Sequence, residues 1–267
     1  MLKDITLGQF FPGDSVLHKL DPRTKLILTL VYVVTLFAAV GPVTYGLMFV
    51  TLVLSVLLSK INLKTILRSI RPLVFIIVFT FVLNIFFTRG TPIFKVWFIT
   101  VTREGLVTAV KMVARLVMLI VGTFLLTYTT SPIALTDGLE RLLSPLKKIR
   151  VPVHELAMMM SIALRFIPTL IEETDKIISA QKARGADFES GNLIRRAKAL
   201  LPILVPLFVS AFRRAEELAV AMESRCYHGG EGRTRLKQLK LARRDAVAFL
   251  LGAALIVAVF TLSALGF

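Results

Sequence analysis

Long apolar runs broken by short polar punctuation set the plan of this chain. Leu26 to Val40 is apolar, Gly41-Pro42 is a turn signal, and Val43 to Ser59 is apolar again. Each run is near the short limit for crossing a bilayer, so flanking residues must complete it in the interface. The pattern predicts a transmembrane hairpin with almost no loop. Ahead of it, Leu20-Asp21-Pro22-Arg23-Thr24-Lys25 reads as a helix start, with Asp21 as N-cap and Pro22 at the first helical position. The polar stretch before that does not read as a signal peptide. Asp4, Asp14 and Asp21 interrupt it, and no small-residue cleavage site follows a short apolar core.

Lys60 to Arg71 carries Lys60, Lys64, Arg68 and Arg71 with no acid, which marks a cytoplasmic loop. Ile61, Leu63, Ile66, Leu67 and Ile70 are spaced as on an amphipathic helix lying in the interface. Pro72 to Phe87 reads as a third span. Arg89 to Glu104, with Gly90, Pro92 and Trp97, reads as an outer loop with an interfacial aromatic. Gly105 to Tyr128 is a fourth span. Within it Lys111 and Arg115, four residues apart, share one face and are expected to snorkel toward the headgroups, with a buried functional pair as the alternative.

The pattern changes over residues 129–244, which hold twenty Lys or Arg against twelve Asp or Glu, a net +8. Two apolar patches interrupt this region. Val151 to Ile171 contains His154, Glu155 and Arg165, and Ala199 to Phe212 is short and contains Pro202 and Pro206. Neither makes a good span, and a single crossing would export strongly basic segments. Both are expected as buried or interfacial helices of a cytoplasmic domain against the inner leaflet. Arg243-Arg244 then anchors a last span, Ala246 to Phe267. The expected fold is therefore an all-α polytopic membrane protein of about five transmembrane helices. It divides into a four-span membrane domain (1–128), a cytoplasmic helical domain inserted before the last span (129–244), and a final helix (245–267). The N-terminus is expected in the cytoplasm.

Composition agrees with this plan: 55% of residues are hydrophobic, too many for an ordinary soluble domain of this length. The net charge of +16 lies outside the apolar runs, as the positive-inside rule and anionic headgroups require. Basic residues beside membrane spans argue against a nucleic-acid partner. One cysteine, Cys226, excludes a disulfide framework and a thiolate metal cluster. No G-x-x-x-x-G-K-[ST] occurs, so the chain is not expected to hold ATP in a phosphate loop of its own. His18, His154 and His228 show no ligand spacing. Glu172, Glu173 and Asp175 form an acidic cluster; it fits a solvated helix face, or else magnesium chemistry in a membrane-embedded enzyme. An ATPase-independent permease is a further alternative.

Two stretches share a layout that the rest of the chain does not. Ile177 to Phe188 centres on Ala183-Arg184-Gly185, and Leu218 to His228 centres on Ser224-Arg225-Cys226. In each, an alanine stands four residues before the arginine, Ala180 or Ala221, and small residues flank it. On a helix, residues four apart share a face, so each arginine ends a smooth strip. A planar, permanently charged donor fork would meet a partner that comes close. Ordinary solvated arginines complementing helix dipoles would leave the same trace.

Ser144 to Phe188 and Leu201 to Tyr227 closely resemble the T component of energy-coupling factor transporters, and the order of spans resembles that family along essentially the whole chain. The resemblance implies the membrane scaffold of an ABC-type importer for vitamins or metal ions in a prokaryotic cell membrane. It implies two cytoplasmic ATPase subunits, which use ATP and magnesium, and a substrate-binding membrane partner, the S component. It implies no catalytic residue and no cofactor bound by this chain. Two Ala-Arg-Gly motifs of the family end coupling helices and dock in grooves of the ATPases. Ala183-Arg184-Gly185 matches in full, whereas Ser224-Arg225-Cys226 keeps the arginine and departs at both neighbours. Closure of the ATPases would move the coupling helices. Their apolar faces, with Met158, Met159, Met160, Phe166, Leu170, Ile203, Leu207 and Phe208 as candidates, would then carry the S component. Plain core packing is the better explanation of any single one of those residues.

Overall fold

The structure is a computed structural model describing residues 10–96, 99–186, 188, 192–229 and 239–266; for residues 92–96, 99–101, 193 and 195–197 it describes the backbone alone. The chain forms two compact units. One comprises 8–138 with 239–267, and 139–238 belongs to the other.

The first unit holds helices α1 (Pro22–Ala38), α2 (Pro42–Ser59), α3 (Leu63–Ile70), α4 (Val74–Phe87), α5 (Arg103–Thr129) and, after the second unit, α9 (Arg243–Ala264). α5 is its axis and packs against α1, α2, α3 and α4, while α1 also packs along α9. The core forms where these meet, from Leu36, Met48, Leu52, Met118, Val121, Leu125 and Val259. α4 has no buried residue and exposes Phe75 and Phe87 almost fully. A helix apolar on all sides that packs on α5 along one face and leaves the rest uncovered needs lipid as its solvent.

Local chemistry explains the helix ends. Asp21 caps α1 by accepting from the Arg23 amide at 2.9 Å, with Pro22 next in line. Gly41 and Pro42 turn the chain into α2. α3 is the amphipathic segment, capped by Asn62 accepting from the Lys64 amide at 3.1 Å, and Ile66 is its buried residue.

Polar clamps close both ends of the bundle. At one, the buried Asp245 carboxylate accepts from the amides of Asp21 at 2.9 Å and Ala242 at 2.8 Å. Beside it the Lys25 ammonium donates to the carbonyls of Thr129 at 2.7 Å and His18 at 3.3 Å. α1, α5 and α9 are thereby tied together, with the buried Asp245 carboxylate and Lys25 ammonium both partnered. At the other end Lys111 and Arg115 donate to the carbonyls of Val40 and Ala39, each at 3.1 Å, and Arg115 lies over the rings of Phe37 and Tyr45. These two basic residues close the α1–α2 turn, a contact that neither snorkelling nor a buried functional pair anticipates.

Arg89 to Glu104 is not a plain loop. It contains an antiparallel hairpin, β1 (Pro92–Val96) with β2 (Ile99–Thr102). Thr102 ends the hairpin and caps α5, accepting from the Gly105 amide at 3.1 Å. Trp97 lies outside the described residues.

The second unit is built on two long helices, α7 (Val153–Ala183) and α8 (Leu193–Ser224), which pack against each other. α6 (Pro132–Leu143) crosses the boundary between the units. The two apolar patches are thus parts of helices of 31 and 32 residues that run straight through Pro168, Pro202 and Pro206. Each proline withholds an amide from the carbonyl one turn back and marks where its helix can bend.

Among the described residues five helical segments are long and apolar enough to cross a membrane: 42–59, 63–87, 103–129, 153–183 and 243–264. The number equals the expected one, but the membership differs. α1, with 17 residues, is shorter than these, and α7 qualifies by length and composition. The sequence reading underrated α7 because its charges cluster at Glu155, Arg165 and beyond Glu172, leaving an apolar window between them.

Candidate functional site

The two arginines that share a sequence layout also share a backbone geometry. Arg184 is the C-cap of α7 and Arg225 the C-cap of α8, with φ/ψ of −85°/6° and −95°/16°. After each, the next residue turns left-handed: Gly185 at φ 83°, Cys226 at φ 55°. The Gly185 amide donates to Lys182 O at 3.0 Å and the Ala186 amide to Gln181 O at 3.0 Å. The Cys226 amide donates to Glu223 O at 2.8 Å and the Tyr227 amide to Met222 O at 3.0 Å. This is the Schellman closure in both cases, residue for residue. It satisfies the carbonyls that a helix end otherwise leaves open.

The closure accounts for the third residue of each motif. A left-handed residue is free of steric cost only if it is glycine. Gly185 meets that demand, and a Cβ built on it would find nothing within 4 Å. Cys226 holds the same conformation with a side chain. The departure of the second motif is therefore a change in local strain and not in shape.

Both motifs present bare charge. Ala183, Arg184, Gly185, Ser224, Arg225 and Cys226 are all exposed, and neither guanidinium makes a hydrogen bond or ion pair among the described residues. Arg214, by contrast, is engaged. Arg214 donates to the Glu173 carboxylate at 3.0 Å, bridging α8 to α7. Glu173 precedes Arg184 by eleven residues, and Arg214 precedes Arg225 by the same eleven. At 1.5 Å per residue each arginine stands about 16 Å beyond the bridge. The bridge thus pins the two helices at matching distances from their charged ends.

The candidate apolar faces come out mixed. Met159, Met160 and Phe208 are exposed, Met158, Phe166, Leu170 and Leu207 are half-buried, and Ile203 is buried. Ile203 therefore does not belong to an outward face. The sequence missed the continuous exposed stripe on α8, formed by Leu201, Leu204, Val205, Val209 and Phe212 with Phe208. Its spacing by three and four residues was visible, but the two prolines made the segment look discontinuous. The acidic cluster does not converge on a common point: Glu173 binds Arg214 while Glu172 is exposed. Among the described residues no three His, Cys, Asp or Glu are grouped to hold a metal ion.

Residues 13–236 match the protein family described as CbiQ, Cobalt transport protein. The chain is also similar to proteins named energy-coupling factor transporter transmembrane protein EcfT. That of Clostridium kluyveri is 59% identical over 94% of this chain and 93% of its own. That of Thermosediminibacter oceani is 57% identical over 93% and 94%. That of Lactococcus lactis subsp. cremoris is 49% identical over 92% and 93%.

Proposed function

Because this chain belongs to the CbiQ cobalt transport protein family, as the transmembrane component of an energy-coupling factor transporter, we propose that Arg184 and Arg225 anchor it to two ABC-type ATPase subunits. The observation that carries this reading is the identical closure of α7 and α8, which leaves at each tip one guanidinium without a partner among the described residues. Two equal tips suit two equivalent receptors. A planar fork in an acidic or carbonyl-lined groove supplies several charge-assisted hydrogen bonds at once.

Motion would pass from tip to membrane through the long helices. ATP binding, with magnesium, draws the two ATPases together, and each drags its arginine. The Arg214–Glu173 bridge makes α7 and α8 pivot on one another, so tip displacement becomes rotation of their apolar segments. The exposed stripe of α8 from Leu201 to Phe212, with Met159 and Met160 of α7, would hold the substrate-binding S component and reorient it. Methionines adapt their shape, which suits a surface that accepts more than one partner. The chain itself would be non-catalytic and bind no cofactor; the transported vitamin or metal ion is chosen by the S component. The second unit and the N-terminus would lie on the cytoplasmic side of a prokaryotic cell membrane.

The test is purification of the chain from its native membrane in mild detergent. Two ATPase chains and a small membrane protein are expected to accompany it, and vesicles holding the complex should take up substrate only with ATP. Uptake by the chain alone, or turnover of a soluble substrate by it, would refute the proposal.

A further inference from the structure

The membrane unit contains an open apolar groove of about 430 Å³ between α1, α2, α5 and α9. That volume lies within the roughly 300–1,000 Å³ range of small-molecule sites. Leu28 and Tyr32 of α1 and Leu125 of α5 line it. Its lips, Leu54 and Leu58 on α2 and Val247 and Leu251 on α9, are exposed. Two cations, Lys25 and Arg244, stand at one end and no acid lines any part of it. Lys25 donates to two carbonyls, which leaves one of its three protons free. Arg244 is exposed and makes no hydrogen bond or ion pair among the described residues, because neighbouring Asp245 is bound to two backbone amides.

From Arg244 to Leu255 α9 rises about 16 Å, which equals one leaflet of a hydrocarbon core roughly 30 Å thick. The groove is therefore apolar for one leaflet's depth and cationic where that leaflet's headgroups lie. We propose that it binds one anionic phospholipid, with an acyl chain between α2 and α9 and the headgroup phosphate on Arg244. Charge complementarity and depth together select this occupant. A protein helix would need no cation at the headgroup level, and a soluble anion would need no 16 Å apolar trough. The inference needs only that this unit spans a membrane, and failure of ATPase co-purification would not touch it.

The test uses the full-length chain in detergent, titrated with phosphatidylglycerol or phosphatidylcholine of the same acyl chains and read by native mass spectrometry. One phosphatidylglycerol should be retained about fivefold more tightly than phosphatidylcholine, as one surface cation provides. Arg244→Gln should abolish that preference. Ser55→Phe, inside the groove, should remove both lipids; Leu251→Trp, on the exposed lip, does the same without touching the core if Ser55→Phe does not fold. Equal retention of both lipids by the parent chain would overturn the proposal, as would phosphatidylglycerol binding unchanged by all three substitutions. Loss of the lipid in one-for-one exchange with a partner membrane protein would assign the groove to that protein instead.

Discussion

Gly185 separates two reasons for a small residue after the coupling arginine: backbone conformation, and close approach by an ATPase. At φ 83° an alanine is strained by about 1 kcal/mol, whereas asparagine tolerates the left-handed region. The space around Gly185 is open in the free chain, so strain is the whole local effect of a Cβ. One kcal/mol corresponds to about fivefold in the opening equilibrium of the closure. Hydrogen exchange reads it at the Gly185 and Ala186 amides, which bond Lys182 and Gln181. Gly185→Ala should exchange about fivefold faster there, and Gly185→Asn within about twofold of the parent. ATPase retention should follow the same order, with asparagine better than alanine although it is larger. Cys226 already shows that a side chain is accommodated at the equivalent place. If asparagine released the ATPases while alanine kept them, close approach would be the reason for the glycine and the conformational account would fail.

Further outcomes follow from other contacts. Asp245→Ala leaves the buried Asp21 amide without an acceptor and frees the part-buried Ala242 amide, and should lower stability by about 2 kcal/mol, seen as a lower melting temperature in detergent; Asp245→Asn should recover part of it. Arg214→Ala should keep the ATPases but weaken uptake per ATP hydrolysed, since it removes a half-exposed bridge worth about 1 kcal/mol. The exchange Glu173→Arg with Arg214→Glu should restore coupling, as a double-mutant cycle on uptake would show. Native Cys226, the only cysteine, is exposed at the second tip. A membrane-impermeant maleimide should label it in permeabilised but not intact cells, and bound ATPases should protect it.

The membrane helices were legible because bilayer length and turn residues constrain sequence so strongly: Asp21-Pro22 and Gly41-Pro42 fall at helix starts as read. The paired arginines were legible from their repeated flanks. The identity of the two closures was not, because Cys226 carries no sequence sign of a left-handed residue. The Arg214–Glu173 bridge joins residues 41 apart, and a single sequence does not show which of many charges will meet. The hairpin at 92–102 was hidden by Gly90 and Pro92, which read as loop. α7 is hard to read as one apolar helix because His154, Glu155 and Arg165 interrupt the patch in sequence while the helix continues through them.

The central claim is that the two tips, and not the basic surface in general, hold the ATPases. Co-purification of the ATPases with Arg184→Ala, Arg225→Ala, the double variant and Lys198→Ala tests it most directly. Lys198 is an exposed cation on α8 far from its tip and serves as the control. Losing one arginine strands the charge it paired with in the ATPase, at roughly 2–5 kcal/mol. Each single variant should therefore retain the ATPases weakly, the double variant should lose them, and Lys198→Ala should match the parent. Full retention by the double variant, or equal loss with Lys198→Ala, would contradict the account.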